Sequence, residues 1–289
     1  MKQFYLHLPA IVMSTWSDAA IAFAIVTGIF LLSRFLGHRA PVSQPRAVLH
    51  DAVYYGFYNS ILVIAVLQIP LTRLMLPFLR AMNWQLLAGY PGVVRFVVFF
   101  VLADFTYYWN HRLMHTRWFW PLHAVHHEQR DVTAFTATRK HIGEAVVSTA
   151  TVLALAAVLG SSPRDPMWFF VFRYAISAAN HSGLRWRFGP LYWVIVSPLF
   201  HSAHHSIDEE VSAHNYGNFF SLWDQLFGTH VNTHTAPERQ GVEGLSMPTM
   251  WSQFWTPLQA MWGSAQRRDV LVTAPARPGS PTGTGMTSL

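Results

Sequence analysis

The chain is laid out in long apolar blocks separated by polar, histidine-bearing stretches. Residues 19–36 form the first block, an apolar run broken only by small polar residues and by Arg34 near its end. As a helix rising 1.5 Å per residue it would reach about 27 Å, close to the ~30 Å hydrocarbon core of a bilayer. The run is too long for the apolar part of a signal peptide and no clear cleavage site follows, so it reads as an anchoring span. Arg34, Arg39 and Arg46 then place the following loop in the cytoplasm. Residues 53–79 form a second block, broken near Pro70, where a helix would kink or end. Residues 92–109 make a third despite Arg95 and Asp104, residues 144–160 a fourth, and residues 166–180 a shorter fifth. The pattern predicts five crossings, with four and a re-entrant hairpin as the alternative.

Following the spans from a cytoplasmic first loop, the third runs inward and ends at His111. The fourth leaves from Glu144 and the fifth returns to end at His181. Every histidine cluster then falls on the cytoplasmic side, in the same zone as Arg112, Arg117, Arg130, Arg139 and Lys140, as the positive-inside bias expects. From 184 to 262 the chain is polar and aromatic, which predicts short helices packed on the cytoplasmic span ends and partly dipping into the interface. Beyond 263 it turns to Ala, Pro, Gly, Ser and Thr and is expected to be disordered. The fold class expected is all-α, an integral membrane helical bundle with a cytoplasmic histidine-rich helical cap.

Composition agrees. Only 12% of the residues are charged and 52% are hydrophobic, where soluble domains carry about 25% charged residues. The net charge of +6 is spread beside the apolar runs rather than gathered in a stripe, which argues against nucleic acid as a partner. Cysteine is absent, so disulfides, thiolate zinc sites and iron–sulfur clusters are excluded and any metal must use His, Asp, Glu or Asn.

Three clusters supply the candidate ligands: His111 and His115 in HRLMH, His123, His126 and His127 in HAVHH, and His201, His204 and His205 in HSAHH. Residues three and four apart share a helix face, so each cluster can aim two or three imidazoles at one point. Neutral imidazole suits iron, zinc, copper and nickel and not calcium or magnesium. A lone HxxxH pair is commonly a surface or core feature, but two HxxHH motifs with an HxxxH in one chain point to metal. Eight histidines exceed what one ion of about four to six ligands can use, so two ions are expected. His181, level with the clusters at the end of the fifth span, is a ninth candidate, and His141 a further one. His214, His230 and His234 share no spacing with the rest and read as surface or supporting residues.

Asp104 lies inside an apolar span, where a carboxylate is expensive unless paired or functional. Asp104, Tyr108, His111 and His115 fall on one helix face. Asp104 is therefore expected to accept a hydrogen bond from the far nitrogen of a ligating histidine; pairing with Arg95 or Arg173 is the alternative.

The order HRLMH, HAVHH, a single His181 and HSAHH resembles the fatty acid hydroxylase/sterol desaturase superfamily. So do the lead-in from Asp104 to Arg112, Asn215-Tyr216-Gly217, and the closing run from Trp223 to Thr229. The sequence departs from that pattern at His214 and His230. The resemblance, from about 93 to 229, implies a di-iron centre (Fe2+/Fe3+) that takes O2 as co-substrate and oxidises an unactivated C–H bond of a membrane lipid. It also implies electrons from an external donor protein, and it adds His181 and His141 to the ligand set. The expected organisation is an N-terminal transmembrane region over 1–92, a fatty acid hydroxylase-like di-iron domain over 93–230, a C-terminal cytoplasmic segment over 231–262 and the tail over 263–289. A membrane metal transporter and a histidine-ligated zinc hydrolase are the rival functions. Transporters place ligands near the bilayer midplane, whereas these histidines sit at span ends.

Overall fold

A computed structural model describes residues 20–36, 45–54, 69–161 and 164–262. The middle of the second predicted span (55–68) and the tail lie outside the described residues. The helices are α1 (Ala20–Phe35), α2 (Pro45–Tyr54), α3 (Ile69–Ala81), α4 (Gly92–Met114), α5 (Trp120–His127) and α6 (Ile142–Leu159). They continue as α7 (Arg164–Asn180), α8 (Pro198–His204), α9 (Glu209–Ser212), α10 (Leu222–Leu226) and α11 (Met250–Trp262). Two short 3-10 turns, Ala134–Thr138 and Gly189–Trp193, complete the set. Among the described residues the only β pairing is two isolated bridges, so the protein is an all-α membrane bundle with a histidine-rich cap.

α4 and α6 are the two described helices long and apolar enough to cross a membrane. α4 has 23 residues, or about 34 Å, five residues more than the apolar run predicts. It continues because His111 and Met114 turn inward and extend the same stripe as Phe99, Ala103, Tyr107 and Tyr108. Trp109 and Leu113 on its other face, and Val93 and Val97 in its first turns, are exposed. Only 28% of the apolar window of α4 and 22% of that of α6 is covered by protein, which fits lipid-facing helices rather than the core of a soluble domain. α7, with 17 residues, falls short of the length that five crossings would ask of it.

α6 is closed at both ends by its flanking residues. The His141 side chain accepts from the Gly143 N–H at the start, and Gly160 adopts the left-handed conformation (φ +69°) at the end. A Cβ at Gly160 would lie 2.8 Å from the Gln85 Cα, so glycine also allows the 82–91 loop to pack there. That loop donates from Leu86 and Leu87 to the last carbonyls of α6, Val158 and Leu159.

Three apolar clusters assemble the bundle. Phe99, Ala103, Val152, Leu159 and Phe169 join α4, α6 and α7. Val26, Val48, Ala134, Phe135 and Ala178 join α1, α2 and α7 around the first 3-10 turn. Trp120, Ala124, Val125, Leu245, Met247 and Ala260 fix α5 to α11. A buried ionic knot reinforces the cap: Arg139 pairs with Asp51 (3.2 Å) and Glu128, and Gln129 donates to Asp51 (2.7 Å).

Candidate metal centre

The three clusters sit where helices end. His111 lies in the last turn of α4 and His115 caps it; His123, His126 and His127 ride on α5; His201 and His204 end α8 and His205 caps it. Pro121 and Pro198, in the first turns of α5 and α8, suit helix starts where an N–H would go unused. His181 follows α7 directly.

These nine buried rings form two groups. His111, His115, His123, His127 and His204 make one, and His126, His181, His201 and His205 the other; within each, one nitrogen per residue lies within 4.8 Å of all the others. His141 joins neither. Its Nε2–H donates to the Phe254 carbonyl (3.1 Å) and its Nδ1 accepts from Gly143 N–H (3.0 Å), so both nitrogens serve the α6 cap and the α11 contact. His214 contributes a carbonyl rather than a ring, and the His230 ring stacks on Trp193.

The hydrogen bonds behind the rings fix their tautomers. Nδ1–H donates to a carbonyl in His111 (Tyr216, 2.7 Å), His126 (Thr136, 3.1 Å), His181 (Ser177, 2.6 Å) and His204 (His214, 2.7 Å). In His123 it donates to Glu144 Oε2 at 2.9 Å. A carbonyl or a carboxylate accepts here, so each of these rings carries a proton on Nδ1 and, in its neutral form, presents a bare lone pair at Nε2. The Nε2 atoms of His111 and His123 are nevertheless 3.0 Å apart, and those of His126 and His181 3.1 Å apart. Lone pairs facing one another at that distance repel unless a cation lies among them. The ring nitrogens of His115 and Nε2 of His127 and His204 are buried without partners, and such orphans call for a ligand.

Burial also keeps most of the rings neutral. Desolvation pushes His181 and His204 down to about 3, and holds His115, His126, His127, His201 and His205 well below the usual histidine value, with neighbouring rings adding to the effect. A buried, neutral, all-imidazole donor set fits iron or another late divalent metal.

Asp104 does not reach a histidine, nor Arg95 or Arg173. Its carboxylate accepts from the backbone N–H groups of Phe219 and Phe220 (both 3.1 Å) and from Trp223 Nε1 (3.0 Å). The expected helix-face alignment is present, but a polar loop docks on Asp104 before any ring can. Asp104 therefore supports the centre indirectly, by holding the loop whose Tyr216 carbonyl anchors His111. Asp224 completes that loop: it accepts from the N–H groups of Tyr216 and Gly217 and from Thr229 Oγ1, each at 2.7 Å. Burial pushes Asp224 up to about 7 against the pull of these donors.

Glu144, which carries no role in the sequence reading, is the carboxylate that meets a ring. It bridges His123 Nδ1 and Lys140 Nζ, the latter at 2.8 Å. Its signal in the sequence is akin to the one applied to Asp104, an acid in contact with an apolar span, here at the start of the run rather than inside it.

Two polyhistidine groups at the helix ends of a membrane bundle, each able to hold a metal ion, set the class of protein to look for. A fatty acid hydroxylase family model matches residues 96–229. The chain is 30% identical over 204 residues to the very-long-chain aldehyde decarbonylase GL1-8 of Oryza sativa subsp. indica, covering 65% of this chain and 69% of that one. It is 30% identical over 188 residues to the alkylglycerol monooxygenase of Caenorhabditis elegans, 62% of this chain and 35% of that one. With the ornithine lipid hydroxylase OlsE of Rhizobium tropici it shares 29% identity over 144 residues, 50% of this chain and 44% of the relative. No solved structure matches. The chain belongs to the fatty acid hydroxylase/sterol desaturase superfamily and is an oxidoreductase.

Proposed function

We propose that this chain oxidises a C–H bond of a membrane lipid with O2, as a hydroxylase or a desaturase, using two iron ions and electrons from an external donor protein. The two histidine groups would each hold one ion, with 93–230 as the catalytic domain. The observation that carries this reading is the pairing of bare Nε2 lone pairs across 3.0–3.1 Å inside a buried all-imidazole pocket. Iron bound there would supply reductive O2 activation at positions the nine rings leave open. The chain's own residues set the conditions for it. Glu144 and the four carbonyls lock the rings in the Nδ1–H tautomer, the cap excludes water, and Lys140 neutralises Glu144. What the relatives are named for, an alkylglycerol, an ornithine lipid and a very-long-chain aldehyde, supports a lipid substrate. A sterol or a fatty acyl chain belongs to the same class of amphiphile. In our topology the protein crosses the membrane several times and carries the centre on its cytoplasmic face.

Metal analysis of protein purified without added metal, coupled to oxygen uptake with a chemical reductant, tests the proposal. About two irons per chain and reductant-dependent oxygen uptake are expected. Stoichiometric zinc without oxygen uptake would mean a hydrolase, and metal moving across vesicles a transporter. Lipid analysis of a host lacking the protein then identifies the substrate.

A further inference from the structure

A cavity of about 90 Å³ opens beside the four-histidine group. Its wall includes Asn180 and Ser182, the neighbours of His181, and Ser202, which follows His201. Phe30 and Arg34 line it from the last turns of α1, so the cavity lies between the end of an apolar helix and the residues that flank the four-histidine group. Phe30 also packs on Phe135 at 5.1 Å, in the 3-10 turn whose Thr136 carbonyl anchors His126.

The charge on the wall is one-sided. Arg34, Arg130 and Arg185 line the cavity against a single acid, Asp131. Nη1 of Arg34 is buried without a hydrogen-bond partner. A guanidinium presents a planar fork that matches phosphate and carboxylate oxygens, and basic pockets between membrane helices on the cytoplasmic side are where lipid headgroups dock. The volume is far below the roughly 300–1,000 Å³ of a site that encloses a whole drug-sized molecule. It suits a headgroup and leaves an acyl chain outside.

We propose that this cavity binds the phosphate or carboxylate headgroup of an anionic lipid, and that this lipid is the one oxidised at the neighbouring centre. Its role as substrate rests on the oxygenase reading; the anion site stands on the arginines alone. Arg34, Arg130 and Arg185 hold the head, and the chain stays with the membrane-facing wall.

Titration calorimetry on the purified full chain in uncharged detergent tests this, with iron content measured on each sample. The probes are dihexanoyl phosphatidate, uncharged dihexanoylglycerol and inorganic phosphate. Phosphatidate is expected to bind at least tenfold more tightly than either of the others, and more weakly as salt rises. Arg34→Gln with Arg185→Gln should lose at least tenfold of that affinity with iron per chain unchanged, and Arg34→Lys should retain part of it. Equal binding by wild type and the double variant, or equal binding of dihexanoylglycerol, overturns the site. Inorganic phosphate binding as tightly as phosphatidate overturns the lipid as its source. Wild type that binds phosphatidate through these arginines but holds no iron overturns the oxygenase reading alone. Iron-loaded wild type with no arginine-dependent binding overturns the headgroup site alone.

Discussion

His123 shows how little freedom a ring has at this centre. Its Nδ1 is held at 2.9 Å by Glu144, whose other oxygen holds Lys140, whose Nζ also donates to Tyr107 at 2.6 Å. Glu144→Gln keeps an oxygen that can accept from His123 but removes the charge behind the ring and the counter-ion of Lys140. Losing such a partner typically lowers metal affinity or activity about 10–100-fold. Iron per chain, measured after dialysis against graded chelator, should fall over that range in Glu144→Gln; wild-type retention would show that the pair is dispensable. The same crowding predicts a pH response of the metal-free protein. His181 and His204 sit at about 3 when folded because burial disfavours their charged forms, against about 6.5 in an unfolded chain. Between those values the unfolded chain takes up protons that the folded rings refuse, so stability falls as pH drops below about 6.5 and is insensitive to these groups above it. Thermal unfolding of chelator-stripped protein in detergent should have a lower midpoint at pH 5.5 than at 7.5. An unchanged or higher midpoint at 5.5 would contradict the buried neutral state.

At the scale of elements, the loop from Tyr216 to Trp223 works as a strut between α4 and the first histidine group. Asp104 holds it by three donors and Asp224 by two more, the N–H groups of Tyr216 and Gly217, and Gly217 is required because a Cβ there would lie 2.7 Å from Phe220 O and 2.8 Å from Asp224 Oδ2. Asp104→Asn turns one accepting oxygen into a donor facing another donor. A buried donor left unsatisfied costs about 1–3 kcal/mol. The variant should therefore melt earlier and also bind iron less well, since the Tyr216 carbonyl anchoring His111 loosens with the strut. Normal stability with lost turnover would instead favour a direct role at the metal. The strut marks the limit of what the sequence made legible. The two histidine groups could be anticipated because HxxxH and HxxHH are local spacings on a helix face, and α4 and α6 because their apolar runs are long. Four of the five anchors behind the rings are backbone carbonyls, of Thr136, Ser177, His214 and Tyr216. Every residue carries a carbonyl, so that partnership leaves no mark in the sequence. His141 stands apart from both groups because its ring caps α6 and meets α11, a partnership with backbone atoms that the sequence does not mark either.

For the whole molecule the decisive relation is the distance between the two ends of α4 and α6. The 82–91 loop docks on the C-terminal end of α6 through Leu86 and Leu87, while Glu144, at the N-terminal end, faces His123. Along α4 the same separation runs from Gly92 to His111, about 29 Å at 1.5 Å per residue. That is close to the thickness of a hydrocarbon core, so the loop and the centre belong to opposite faces of the membrane if these helices cross it. Arg112, Arg117, Arg130, Arg139 and Lys140 all lie towards the histidine end, so the positive-inside bias predicts a cytoplasmic location for that end, the side from which the proposed external donor would deliver electrons. Reporter fusions in the 82–89 loop should be active outside the cytoplasm, and fusions in the 128–133 segment inside. If both report from one side, α4 and α6 do not cross together. If the two are reversed, electrons must arrive from the opposite side of the membrane.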